Sequence, residues 1–142
     1  PGFVVIFDDK TLIIPDRVGN NRLDTTRNIL KNPAIGLLFI IPGVNEVMRI
    51  GGQGEITDDA SLLEPMSVND KAPKTGIIVH IEQVFYSCAR SLIRSKAWDP
   101  ASHVDRRAVP SPVQVIALRE NQDPDAPNER YEDHMRHLYD NA

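Results

Sequence analysis

Five short runs rich in β-branched and aromatic residues, with a single early helix pattern among them, constrain this chain more than any other feature. Phe3-Val4-Val5-Ile6-Phe7, the turn Asp8-Asp9-Lys10 and Thr11-Leu12-Ile13-Ile14 read as a β-hairpin. Ala34 to Ile41 is apolar on both faces, which predicts a central strand buried on either side. After the turn Pro42-Gly43-Val44-Asn45, the run Glu46 to Ile50 predicts its partner strand. Gly51-Gly52 and Gly54 then predict a bulge or sharp bend of the kind closed sheets need at corners. Thr57-Asp58-Asp59 ends that strand and caps a short helical patch from Ala60 to Pro65, and Gly76 to Tyr86 forms a long final strand. Strands that do not alternate with helices favour a small antiparallel barrel over a doubly wound α/β sheet.

A chain of 142 residues suits one domain with a proper core and no disulfide staples. Residues 1–100 carry the barrel pattern and residues 101–142 a loop and C-terminal helical extension. In that extension Ser111-Pro112 opens a helix with an N-cap and a first-position proline. The acidic linker Asp123-Pro124-Asp125-Ala126-Pro127 leads to a last helix, whose apolar stripe of Tyr131, Met135 and Leu138 suits docking on the barrel or a partner subunit. A net charge of −4 gives no broad basic surface for nucleic acid or an anionic membrane, so any anion site is local. The lone Cys88 excludes an internal disulfide and suits a reducing compartment. With no apolar run near the roughly eighteen residues of a membrane span and no leader pattern, the expected location is cytoplasmic. The chain opens on Pro1-Gly2-Phe3 without an initiator Met, which suggests a missing N-terminal segment.

The chemistry is concentrated between Pro15 and Asn28. Thr11 to Ile14 ends at Pro15, Gly19 is free to take positive φ, and Asn20 or Asn21 can cap a helix running from Arg22 to Lys31, which Asn32-Pro33 closes. Unpaired N–H groups at a helix start hold a phosphate, and Arg22 adds a bidentate clamp. The plain alternative is a capped surface helix with solvated arginines. A second basic group follows the long strand: Ser87, Cys88, Arg90 and Ser91, then Arg94 and Lys96, with Trp98 placed to cover an aromatic ligand. Both groups lie beside strands that antiparallel pairing is expected to bring together.

Other constellations carry less. Basic neighbours favour a reactive Cys88, but His80 is eight residues back along an extended strand and no triad is completed, so a buried structural cysteine is expected. His134 and His137 share a helix face without the ligands a metal needs, so no metal site is expected. Gly51-Gly52-Gln53-Gly54 lacks the Lys-Ser/Thr of a phosphate loop. With no nucleophile–base or carboxylate pair, an enzyme built on this chain needs a cofactor to carry the hard chemistry.

Pro15-Asp16-Arg17-Val18-Gly19-Asn20-Asn21-Arg22-Leu23-Asp24-Thr25, Asn28-Ile29-Leu30, Asn32-Pro33 and Ile35-Gly36-Leu37-Leu38-Phe39 together resemble the pyridoxamine 5′-phosphate oxidase-like FMN-binding split-barrel family, in particular a bacterial branch of uncharacterised members. Glu82-Gln83-Val84-Phe85, Cys88-Ala89-Arg90-Ser91 and Arg94 to Pro100 are similar to the same branch, and the resemblance spans roughly residues 1 to 100. It implies a mainly β fold, an antiparallel six-stranded split β-barrel with C-terminal helices, that forms a homodimer with FMN at the interface. Arg22, Asn20 and Asn21 would meet the phosphate; Ile14, Pro15 and Asp16 would lie along the ribityl or ring side; Ser87, Cys88 and Arg90 would form a further wall with Trp98. The chain departs from the branch in lacking a Ser-Pro-basic-Gly-Asp run before Pro1, in Ser87 where His is usual, and in Arg90 where Lys is usual. The expected function is an FMN-dependent oxidoreductase that exchanges electrons with a small-molecule donor or acceptor. The alternatives are a non-catalytic flavin-binding module and a binder of a deazaflavin or haem.

Overall fold

The computed structural model describes residues 3–17 and 23–123, with Arg107 described only in its backbone. The described residues divide into two compact units, one up to Trp98 and one from Asp99 onward.

In the first unit, β1 (Val5–Asp8) and β2 (Thr11–Pro15) form the expected hairpin, joined by a turn in which the Lys10 N–H donates to Asp8 Oδ1 at 2.8 Å. That bond holds the Asp8 carboxyl below the usual carboxylate range, the Thr11 hydroxyl adding to it. Helix α1 (Asp24–Lys31) leads into β3 (Ala34–Phe39) and β4 (Val47–Thr57). Helix α2 (Ala60–Leu63) is capped by Asp59, whose carboxylate accepts from the Ser61 N–H at 2.9 Å. A 3₁₀ turn, Glu64–Met66, follows directly, and β5 (Gly76–Ser87) and α3 (Arg90–Ser95) complete the unit.

All five strands form one antiparallel sheet in the order β1-β2-β5-β4-β3. They are the five runs read from the residues; the sixth expected strand came only with the resemblance, and no other described run supplies one. Leu12, Ile50 and Val79 form the buried centre, with Val4 and Ile14 packing on it from one side of the sheet and Ile35, Leu37 and Phe39 from the other. Side chains near both edges thus reach one core, so the sheet curls into a split barrel. Helix α1 packs against β4, where Ile29 lies 3.4 Å from the position a Gly54 Cβ would take.

One expectation about strands needs correction. β3 is an edge strand paired only with β4, and its residues alternate between exposed and half-buried. Its apolar residues on both faces do not mark a central strand, because Leu38 points to a face left open to solvent. β4 runs through the glycines and ends at Thr57, as expected, and the expected bulge lies at the glycines: Gly51 pairs with Gln83 and Gly52 with Ile81, leaving Glu82 as the extra residue. Gly52 permits this close crossing, since a Cβ there would stand 2.0 Å from the His80 carbonyl oxygen.

In the second unit, helix α4 (Pro112–Arg119) begins as expected with a capping box: Ser111 Oγ accepts from the Gln114 N–H at 3.2 Å, and Gln114 Oε1 accepts from the Ser111 N–H at 2.8 Å. Between Asp99 and Ser111 the expected loop contains two 3₁₀ turns, Pro100–Ser102 and Arg106–Ala108. The proline-rich linker and last helix expected from residue 124 onward, with His134 and His137, lie outside the described residues.

Candidate functional site

The first candidate group sits where β2 gives way to α1. Ile14 pairs with Ile77 and packs on the core, and Pro15 pairs with Gly76 and is buried. Both residues are therefore held by the barrel. Asp16 is tied to the loop before β5: its N–H donates to the Thr75 carbonyl at 2.9 Å, and the Thr75 hydroxyl donates to Asp16 Oδ2 at 3.1 Å. Arg17 is exposed. Asn20, Asn21 and Arg22 lie outside the described residues.

Helix α1 starts at Asp24, two residues later than the expected Arg22 start, and its N-cap residue is Leu23, which offers no side-chain hydrogen bond. The expected caps, Asn20 and Asn21, lie outside the described residues. Leu23 supplies no side-chain acceptor to the first turn, whose N–H groups carry a partial positive charge, and Asp24 in that turn offsets part of the field.

The second group follows β5. Ser87, its last residue, pairs with Val47 and is half-buried. Cys88 is exposed rather than buried as expected, and the Arg90 Nε–H donates to its Sγ at 3.0 Å. This bond, helped by backbone hydrogen bonding, holds the thiol below its ordinary pKa. The short α3 that follows was not legible in Ser87 to Lys96, because its six residues give too little periodicity. It stops at Lys96, which takes a left-handed conformation with φ of 51°. Trp98 is half-buried and its indole N–H donates to the Val44 carbonyl at 2.8 Å, so the ring is pinned to the turn before β4. His80 lies 3.3 Å from Glu55 and takes no part in a Cys–His pair.

One chain does not bring the ordered ends of the two groups, Pro15 and Ser87, together. β2 runs antiparallel to β5, so Pro15 meets the first residue of β5, Gly76, while Ser87 is the last. The 12 residues of β5 put roughly 36 Å between these ends at about 3.3 Å per residue. Antiparallel pairing, expected to unite the groups, is what separates them.

A further feature was missed in the sequence. The outward face of β3, β4 and β5 carries an open cleft of about 470 Å³, with Gly36 and Gly51 as its floor and Leu38, Arg49, Gln83 and Phe85 around it. Glycine inside a strand pattern was the available signal, since it often marks a close approach by another group. The cleft holds none of the predicted site residues. Among the described residues, no three His, Cys, Asp or Glu side chains are placed to hold a metal ion, and no helix is long and apolar enough to cross a membrane.

The family model for pyridoxamine 5′-phosphate oxidase matches residues 1–88. Among solved structures, HupZ of Group A Streptococcus is similar with a TM-score of 0.50 at 24% identity over 59% of this chain and 68% of that one. A point variant of HupZ gives a TM-score of 0.48 at 23% identity over 60% and 73% of the two chains. No curated protein sequence matches significantly.

Proposed function

Since the chain belongs to the pyridoxamine 5′-phosphate oxidase family, we propose that it is an FMN-binding flavoprotein that works as a homodimeric oxidoreductase with a small-molecule electron donor or acceptor. The observation that carries this reading is the β2–α1 junction: a strand end fixed by Asp16 and Thr75, then a sequence carrying Arg17 and Arg22, then a helix N-terminus whose N-cap residue, Leu23, makes no side-chain cap hydrogen bond. This donor set suits a dianionic phosphate, which gains from both backbone N–H groups and guanidinium forks. Arg22, with Asn20 and Asn21, holds the phosphate in this reading, while Ile14, Pro15 and Asp16 border the rest of the flavin.

Ser87, Cys88 and Arg90 form the wall contributed by the second chain, because they and the β2–α1 junction lie at opposite ends of β5. The Arg90–Cys88 pair presents a cation and a thiol to that wall. Trp98, held on Val44, supports the second wall by fixing the turn before β4. When bound, FMN supplies hydride and single-electron transfer, which the side chains here do not. The expected location is the cytoplasm.

The test is spectroscopic. Purified protein, as isolated or after FMN titration, shows bound-flavin absorbance and releases FMN on denaturation. Protein that stays colourless in excess FMN refutes the reading, and a tight complex with a deazaflavin or haem instead identifies the alternative ligand. Anaerobic reduction by NADH or NADPH faster than that of free FMN separates an oxidoreductase from a flavin-binding module.

A further inference from the structure

The cleft on β3, β4 and β5 is a hollow between two rows of side chains. Register sets the rows: Leu38, Arg49 and Phe85 on one side, Ala34, Gln53 and His80 on the other, and Gly36, Gly51 and Gln83 between them. Gly36 and Gly51 are register partners on neighbouring strands, so the floor is bare backbone across both. A Cβ on Gly36 meets nothing within 4 Å and its φ is not in the left-handed region, so backbone conformation does not require glycine there. What glycine supplies at such a position is a flat surface open to close approach. The outer rows are four residues apart along β3 and β4, which is roughly 13 Å at about 3.3 Å per residue. Two fused six-membered rings lie flat in that width.

The walls differ in character. Leu38 and Phe85 are 53% and 46% exposed and give the floor apolar flanks. Arg49 stands between them, and neither its guanidinium nor the Gln83 amide has a hydrogen-bond or ion-pair partner among the described residues. Gln83 lies along the floor, its Nε2 2.9 Å from the position a Gly51 Cβ would take. Charge is one-sided: Glu55, and Glu82, whose Oε1 accepts from the Gln53 amide at 2.9 Å, lie towards the opposite end.

We infer that this cleft of about 470 Å³ is a binding site for a planar aromatic carboxylate. The ring lies on the Gly36–Gly51 floor with its edge against Leu38 and Phe85. The carboxylate faces Arg49, whose guanidinium offers parallel N–H donors, and the Gln83 amide supplies a further one. The reversed orientation sets the carboxylate against Glu55 and Glu82, so the charge pattern selects one pose. A single cation with carboxylates beyond it suits a monoanion better than a dianionic phosphate. None of the residues assigned to the flavin lines the cleft, so the inference does not draw on the flavin reading.

Titration of the full chain with 2-naphthoate, read as broadening of the ligand's proton NMR signals, tests it against uncharged 2-naphthylmethanol. The wild type binds naphthoate at least about tenfold more tightly than the alcohol, as expected of a charge-assisted contact. Arg49→Gln abolishes that preference, and Arg49→Glu turns it towards 2-naphthylmethylammonium. Gly36→Val has room within its own chain, so it folds, as urea unfolding read by Trp98 fluorescence checks. Its side chain fills the floor and weakens both ligands by about tenfold. Equal binding of naphthoate and the alcohol overturns the inference, as does no binding, an Arg49→Gln that keeps the preference, or a folded Gly36→Val that binds like the wild type. The titration is repeated with excess FMN. Unchanged naphthoate affinity supports a separate site, and displacement by FMN overturns it; protein that binds naphthoate but no FMN refutes the flavin reading alone.

Discussion

Replacing Gly52 by alanine tests whether the β4–β5 crossing holds the barrel together. The added Cβ would stand 2.0 Å from the His80 carbonyl oxygen and 3.0 Å from its carbon, against 3.4 Å for ordinary contact. Both are backbone atoms, so no rotamer change relieves the clash, and the strands must part by more than 1 Å beside the bulge. Overpacking of this kind costs about 1–3 kcal/mol, and losing roughly two neighbouring ladder bonds adds about 1 kcal/mol each. The gain from restricting the unfolded chain, about 0.4–1 kcal/mol, offsets only part of this. The expected loss is therefore about 3 kcal/mol, a large share of the ~5–15 kcal/mol that holds a domain together.

Urea unfolding read by the fluorescence of Trp98, the one tryptophan, measures it at fixed protein concentration. With a slope of about 2 kcal/mol per molar, the midpoint falls by about 1.5 M. Gly54→Ala is the control: the nearest atoms to its Cβ belong to the Ile29 side chain, at 3.4 Å or beyond, and its midpoint stays close to the wild type. A Gly52→Ala midpoint equally close to the wild type refutes the reasoning.

Three further outcomes are expected. Arg22→Ala weakens FMN binding by about 1.5–3 kcal/mol, the worth of a charge-assisted bond, in a flavin-fluorescence titration; unchanged affinity means the phosphate is held elsewhere. Because Arg90 stabilises the Cys88 thiolate, the pH midpoint of alkylation lies below that of an ordinary thiol, and Arg90→Ala moves it up; an unmoved profile removes the Arg90 contact as its cause. Ser111→Ala removes the half of the α4 capping box in which Ser111 Oγ accepts from the Gln114 N–H, keeps the backbone half, and costs that helix about 1 kcal/mol, seen as faster amide exchange across residues 112–119; unchanged exchange means the Ser111 hydroxyl does not hold the helix start.

Local chemistry made the elements legible before the fold was known. The hairpin turn at Asp8, the Asp59 cap, the Ser111-Pro112 helix start and the bulge at the paired glycines each depend on residues a few positions apart, and each stands where it was expected. Failures came where local pattern is silent. Ala34 to Ile41 looks the same whether a second layer covers it or water does, and only the strand order makes β3 an edge. The burial of Cys88 was misjudged because its surroundings are set by a six-residue helix too short to show a period.

The sequence by itself determined where the five strands and the starts of α2 and α4 lie, because propensity and capping act over a turn or two of chain. Only the tertiary structure decided how those elements are distributed in space. Pairing β2 against the first half of β5 places Ile14 and Pro15 at one end of the sheet and Ser87 at the other. It also leaves the Gly36–Gly51 face open. The cause is register, which couples residues sixty positions apart and is written in no short stretch of sequence.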